Sequence, residues 1–348
     1  MEKPVKVYRG TYLESTHDFH VAVVNTHGEL LYSYGNPERL TFPRSSMKPF
    51  QAIAVLETGA ADAYYFDEAD ISLICASHSG EPRHRDRVKK IINNIHLEEN
   101  NLQCGTHIPR DIESYNALIK AGGELTPVYS NCSGKHSGML TAVVHMKEDV
   151  SSYRELTHPH QQRILNAIEH VCQYPKEKID ISVDGCGVPV HRLPLRNTAL
   201  GFARLANPNA WEQSERAQTL ERIRNAMMKH PEMVGGKDRF DTDLMAAFNG
   251  GIVAKGGAEG VQCIGVVDLG LGITIKAEDG NARVVSVVAM EVLKKLNIGD
   301  ESIYQKLDQY VNAAVLNARN DRIGRIEANF ELVKHNDEKS DSESDNNI

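Results

Sequence analysis

The sequence predicts an α+β fold: a mostly antiparallel sheet formed from both chain ends and packed against a helical region. Three observations predict it. Apolar runs with period two or short β-rich character stand near the N-terminus and again in the last third, helix-period runs fill the middle, and the long βαβ alternation of a parallel sheet is absent.

Taken in order, Val5 to Tyr8 reads as a strand, followed by His20 to Asn25 and Glu29 to Ser33, a hairpin turning at His27-Gly28. After the loop Gly35 to Arg44, Phe50, Ile53, Ala54, Val55 and Leu56 give a buried helix that ends near Gly59. Pro49 is tolerated there because it falls in the first turn. Further helices are predicted over 67–77, 83–96, 138–145, 161–171, 197–205 and 214–228, with a short strand at Ile181-Ser182-Val183. Strands return at Val261 to Val267 and Gly272 to Lys276, then helices over 281–296 and 301–315. A last strand within Arg325 to Leu332 is placed to pair with the N-terminal hairpin.

A chain of 348 residues with 41% hydrophobic content can bury a real core, and 1–334 reads as a single domain. Residues 335–348 carry five acids, one lysine and several Ser and Asn, a composition that predicts a disordered acidic tail. The net charge of -8 and the lack of basic runs argue against nucleic acid or an anionic membrane surface as partner. The N-terminus lacks the apolar core of a signal peptide, and no apolar run is long enough to cross a bilayer, so a cytoplasmic location is expected. Six scattered cysteines then read as thiols or metal ligands rather than a disulfide framework.

The stretch Pro43-Arg44-Ser45-Ser46-Met47-Lys48-Pro49 is the most informative. At roughly 100° per residue, three helical steps leave Ser45 and Lys48 about 60° apart on one face, whereas Ser46 points about 200° away from Lys48. A lysine can take a serine's proton if burial or a second cation lowers its pKa. The plain alternative is an N-cap serine and a solvated lysine.

Four other stretches are rich in small and reactive residues: Ala76 to Glu81, Asn131 to Gly138, Asp184 to Pro189 and Lys255 to Gly260. Each alone could be turn chemistry. Gly134-Lys135-His136-Ser137 is like the end of a phosphate-binding loop, but Tyr129 stands where that loop needs its first glycine. Cys132, Lys135 and Cys186 could meet at zinc with water in the fourth place, or the two cysteines could be buried thiols. His136 is the more conventional ligand beside them.

Together, Arg44 to Pro49, Ser77 to Glu81, Asn131 to His136, Asp184 to Gly187 and Lys255 to Gly260 resemble the asparaginase II family of the Rhizobium etli type, in the family's order from about Val7 to Phe330. The resemblance implies an L-asparaginase with a serine β-lactamase-like fold, commonly a homodimer. It implies two Ser-Lys pairs, Ser45 with Lys48 and Ser77 with Lys255, and zinc held by Cys132, Lys135 and Cys186 beside the substrate pocket, aiding binding. Ser45 is then the expected nucleophile and Lys48 its base, with Lys255 depressing the pKa of Lys48 and Ser77 relaying a proton to ammonia.

Asparagine also carries an α-ammonium and an α-carboxylate. Asp184 and Arg44 are the candidate contacts, with His136 a third and Glu81, Arg239 and Asp241 weaker guesses. Rival readings are a penicillin-recognising serine acyl transferase, which shares Ser-x-x-Lys and a later Lys-x-Gly, and a catalytically silent amino-acid-binding relative.

Overall fold

The structure, a computed structural model, describes residues 3–335. Its strands are β1 (Val5–Arg9), β2 (Tyr12–His17), β3 (Phe19–Asn25), β4 (Leu30–Tyr34), β5 (Leu40–Thr41), β6 (Asp180–Val183), β7 (Pro189–Pro194), β8 (Ile252–Gly257), β9 (Val261–Val266), β10 (Leu271–Ala277), β11 (Ala314–Leu316), β12 (Arg322–Ala328) and β13 (Val333–Lys334). Six of them form the main sheet in the order β13-β4-β3-β10-β9-β8, four form a second in the order β11-β12-β1-β2, and β5-β7-β6 form a third. Every pairing is antiparallel.

The chain ends do meet, as the alternation predicted, but in two places rather than one. The run at 322–328 pairs with β1, placing Val7 opposite Ile326, and β13 pairs with β4. The hairpin β3–β4 takes β10 as its other neighbour. Strand β2 was missed because Tyr-Leu-Glu-Ser-Thr-His has no apolar alternation and is largely exposed. The helix expected over 301–315 stops at Val311 and gives way to β11, whose pairing with β12 overrides the helical spacing of Ile303, Leu307 and Val311. The tail expected from 335 onward lies outside the described residues, apart from His335. That residue still bonds to β4 through its backbone, to Leu31, and through its ring, to Ser33 Oγ.

Strands β9 and β10 are buried along almost their whole length, so both faces of the sheet are covered there. The helices Leu195–Ala206 and Val285–Lys295 both pack on this pair. The helical region is built around Lys48–Glu57, in which every residue from Lys48 to Leu56 is buried. The helices Ser133–His145, Pro159–Cys172 and Glu215–Lys229 pack around it. Pro49 falls in its first turn, where no intrahelical N–H is needed. Among the described residues no helix is long and apolar enough to cross a membrane.

Helix Ser133–His145 begins earlier than the sequence suggested, because Gly134 opens a packing face rather than a turn. A Cβ on Gly134 would lie 2.4 Å from the carbonyl oxygen of Leu73, in the helix Glu68–Ile74. The close approach of these two helices therefore depends on the missing side chain. Gly134→Ala is expected to cost about 1–3 kcal/mol by overpacking. A urea denaturation midpoint equal to that of the unaltered protein would contradict this.

Candidate active site

Ser45 sits on a strained turn. Arg44 has φ 55, in the left-handed region that side chains with a Cβ rarely adopt, and Arg44–Met47 forms a single 3-10 turn before the buried helix. Two contacts hold the turn. Arg44 Nε donates to Asp184 Oδ1 at 2.7 Å, and Ser46 Oγ donates to the carbonyl of Lys255 at 2.9 Å. Strand β8 can come this close because Gly257 has no side chain: a Cβ there would lie 2.2 Å from the carbonyl oxygen of Pro43. Lys255-Gly256-Gly257 is thus the end of a strand against which the serine turn is pressed.

Ser45 is left half-buried at the wall of a cavity of about 680 Å³, whose lining also includes Arg44, Ser77, Cys132, Asp184, Cys186 and Lys255. Five segments distant in sequence therefore converge, which no spacing could have announced.

The lysine pairings differ from those expected. Lys48 is fully buried, and its Nζ donates to the carbonyl of Ala76 at 2.5 Å, to Ser77 Oγ at 3.1 Å and to the carbonyl of Asn131 at 3.4 Å. The hydroxyl bonded to Lys48 is therefore that of Ser77, and among the described residues no hydrogen bond joins Lys48 to Ser45. Ser77 in turn is not bonded to Lys255. Lys255 Nζ donates to the carbonyl of Gly256 at 2.7 Å and lies 3.6 Å from Asp241 Oδ2. The helical wheel put Ser45 and Lys48 on one side, but Ser45 lies in a 3-10 turn before the helix and the long lysine reaches to the chain at 76–77.

Burial drives Lys48 below its ordinary pKa; the nearby sulfur of Cys132 opposes the shift and the charge of Lys135 adds to it. Lys255 is lowered to about 8, chiefly by burial, against the pull of Asp241 and with help from Lys48, Arg110 and Arg239. Asp241 is fixed for this task by Gly256 N at 2.8 Å and Gln262 Nε2 at 2.9 Å.

Cys132, Lys135 and Cys186 do come together. Lys135 Nζ stands 3.1 Å from Cys186 Sγ, Cys132 Sγ donates to Asn131 Oδ1 at 3.1 Å, and the two thiols shift each other's titration. The interaction with Cys186, joined by the charges of Lys48 and Lys135 and opposed by burial, holds the Cys132 thiol well below its usual value, while Cys186 is pushed up. For Lys135, burial works toward neutrality but the two sulfurs outweigh it and raise its pKa. Among the described residues no three His, Cys, Asp or Glu side chains group as a metal site. A metal here would need the lysine as its third donor, and two soft sulfurs plus one amine suit zinc with one position open. All six cysteines are free thiols.

Other expected contacts fall differently. Asp184 and Arg44 line the cavity but are already paired with each other. His136 does not line it: the ring is fully buried, with Nδ1 2.6 Å from Tyr153 Oη. Lys135 and His136 lie in the first turn of a helix rather than in a loop. Glu81 and Ser79 tie their loop to the 235–237 segment, Glu81 accepting from Lys237 N at 2.7 Å and Ser79 Oγ donating to the carbonyl of Gly235 at 2.8 Å. Sequence reading missed Arg110 and His107, which line the cavity, because Thr106-His107-Ile108-Pro109-Arg110 has no motif spacing. His107 Nε2 accepts from Asn131 N at 2.7 Å.

A buried lysine bonded to a serine hydroxyl, in a cavity wall that a second buried lysine also lines, is the class of arrangement that can support acyl transfer. The chain belongs to the L-asparaginase II family, whose model matches residues 5–328, and an amidohydrolase-type activity goes with that family. No curated protein sequence matches the chain. Among solved structures, Mglu in its tris and glutamate form is 16% identical with a TM-score of 0.38, over 83% of this chain and 62% of that one. Native Mglu is 15% identical with a TM-score of 0.37, over 80% and 64%. A beta-lactamase candidate from Bacteroides dorei DSM 17855 is 11% identical with a TM-score of 0.41, over 79% and 93%. The chain spans less than two thirds of the length of these Mglu structures.

Removing the carboxylate beside Lys255 disfavours its ammonium form, so Asp241→Asn is expected to lower that pKa further below about 8. The titration of the Lys255 ε-carbon resonance, assigned by its loss in Lys255→Arg, then moves to lower pH. A midpoint that keeps its position, or moves to higher pH, would contradict the pull of Asp241 on this amine.

Proposed function

We propose that this protein is an L-asparaginase, hydrolysing L-asparagine to L-aspartate and ammonia through a serine acyl-enzyme. One observation carries the reading: fully buried Lys48, depressed by burial, bonds to Ser77 Oγ beside the strained turn that presents Ser45, in a chain of the L-asparaginase II family.

In this mechanism Ser45 Oγ attacks the side-chain amide carbon, and its proton passes through Ser77 Oγ to the neutral amine of Lys48. Catalytic hydrogen bonds are often long or unformed before substrate arrives, so the missing Ser45–Ser77 bond is compatible with a relay made on binding. The backbone N–H of Ser45, at the start of a helix, is the candidate oxyanion donor; losing one such donor typically costs about 3 kcal/mol of barrier. Lys48 returns the proton through Ser77 to the departing nitrogen, ammonia leaves, and a β-aspartyl ester remains on Ser45. Water, deprotonated along the same path, then attacks the ester; as the acyl–Oγ bond breaks, Lys48 returns that proton through Ser77 to Ser45 Oγ, and aspartate is freed.

Asp184 is the candidate for the α-ammonium, because Arg44 Nε and Gly185 N both occupy its Oδ1 and leave Oδ2 uncommitted. Arg44, its charge already answered by Asp184, is better placed to hold the turn than to bind substrate. Cys132, Lys135 and Cys186 would hold zinc, which when bound supplies a Lewis-acid contact for a polar substrate atom. Its removal by a chelator is expected to raise KM more than it lowers kcat.

The test is ammonia release by the purified protein from asparagine and glutamine in parallel, with a chromogenic β-lactam as third substrate. Asparagine should be turned over fastest, although one methylene separates it from glutamine and is worth only about 1–3 kcal/mol in a pocket. β-Lactam cleavage without ammonia release would favour the penicillin-recognising reading, and binding without turnover the silent relative. Turnover should rise from neutral toward alkaline pH as the buried lysines lose their protons; a flat or acid-favouring profile would contradict a lysine base. Ser45→Ala should abolish turnover with the fold intact. If Ser45→Ala keeps near-normal rates and Ser77→Ala does not, Ser77, the hydroxyl bonded to Lys48, is the nucleophile instead.

A further inference from the structure

Five cations and four carboxylates line the cavity, and among the described residues Asp238 and Glu259 form a salt bridge with none of those cations. Arg44 is paired with Asp184 at 2.7 Å, Lys255 has Asp241 at 3.6 Å, and the cavity-lining Arg283 donates to Ser15 Oγ at 2.8 Å and lies against His17. Two lining guanidiniums remain, Arg110 and Arg239. Among the described residues neither forms a salt bridge, and the one hydrogen bond from Arg110 is a long contact of 3.5 Å from Nη1 to the carbonyl of Ser77. They are close enough to oppose each other: burial lowers the Arg110 pKa and the charge of Arg239 lowers it further, with Asp241 and the sulfur of Cys132 pulling the other way. Like charges held together at a cavity wall are stabilised by an anion between them.

The geometry points to a carboxylate site formed by Arg110 and Arg239, which receives the α-carboxylate of the amino-acid substrate. Its identity as an α-carboxylate site rests on the hydrolase reading above. Each guanidinium can offer two N–H groups to one carboxylate, and Arg110 reaches the backbone of Ser77, whose hydroxyl lies on Lys48. An amino acid seated there keeps its carboxylate on the arginines while its side-chain amide reaches the serines across the same cavity. This assigns the carboxylate contact to a pair outside the five sequence motifs and relieves Arg44 of that role. It also separates the two ends of the substrate, with Asp184 at the α-ammonium and the arginines at the carboxylate.

The test is steady-state kinetics with asparagine, together with calorimetric binding of L-aspartate, on the full chain and on Arg110→Gln and Arg239→Gln. Each variant should raise KM, and the aspartate Kd, at least tenfold, with kcat falling by a smaller factor. Arg110→Lys and Arg239→Lys, which keep the charge but lose the fork, should recover part of the loss. KM and Kd within twofold of the unaltered protein would overturn the site, as would a loss confined to kcat or a failure of the unaltered protein to bind L-aspartate. If the unaltered protein binds aspartate but releases no ammonia, the hydrolase reading falls, and the arginine site is decided by the aspartate Kd alone.

Discussion

The burial of two primary amines in one seam is the constraint on which the rest of the site depends. An ammonium removed from water is costly unless it is paired or gives up its proton. Lys48 and Lys255 are each about 1% exposed, so the fold must meet that cost locally. It does so with backbone carbonyls of Ala76 and Asn131 for Lys48, and with Gly256 and Asp241 for Lys255. Those partners belong to segments far apart in the chain. Satisfying the two lysines therefore draws the serine turn, the loop at 76–81, the start of helix Ser133–His145 and strand β8 into a single wall. The charge that would be a liability in an ordinary core becomes a reason for these segments to assemble.

The same logic organises the cysteines. Cys132 lies near both Lys48 and Lys135, and Lys135 bonds to Cys186, so amines and sulfurs form one polar cluster behind the cavity. A metal drawn to the sulfurs would compete with the lysines for them, which couples any zinc at Cys132, Lys135 and Cys186 to the electrostatics of Lys48.

Much of the architecture was legible in the sequence, because period and burial coincide. The hairpin β3–β4, the helices at 48–57, 82–94, 159–172 and 215–229, and the return of strands after 250 all follow from apolar spacing. What failed was whatever tertiary contact decides: β2, exposed along most of its length, is held by its neighbour β1, and the break after Val311 is imposed by β12. In the site, Ser45, Ser77, Cys132, Asp184, Cys186 and Lys255 do line one cavity, while His136 does not. Helical spacing puts Ser45 and Lys48 on one side only if both lie in one α-helix, and Ser45 lies in a 3-10 turn. It could not show that a lysine side chain extends to Ser77, since that depends on a loop 29 residues further on. Arg110 carries no sequence signal at all and emerges only from the account of charges in the folded cavity.

The proposed hydrolysis depends on the protonation of Lys48 inside the folded protein. The most direct measurement is an NMR titration of lysine side chains labelled at the ε-carbon, with the Lys48 resonance assigned by its loss in Lys48→Arg. A midpoint below the ordinary lysine value of 10.5 is the predicted result. A midpoint at or above 10.5 would leave the amine charged at every working pH and would contradict its service as a base.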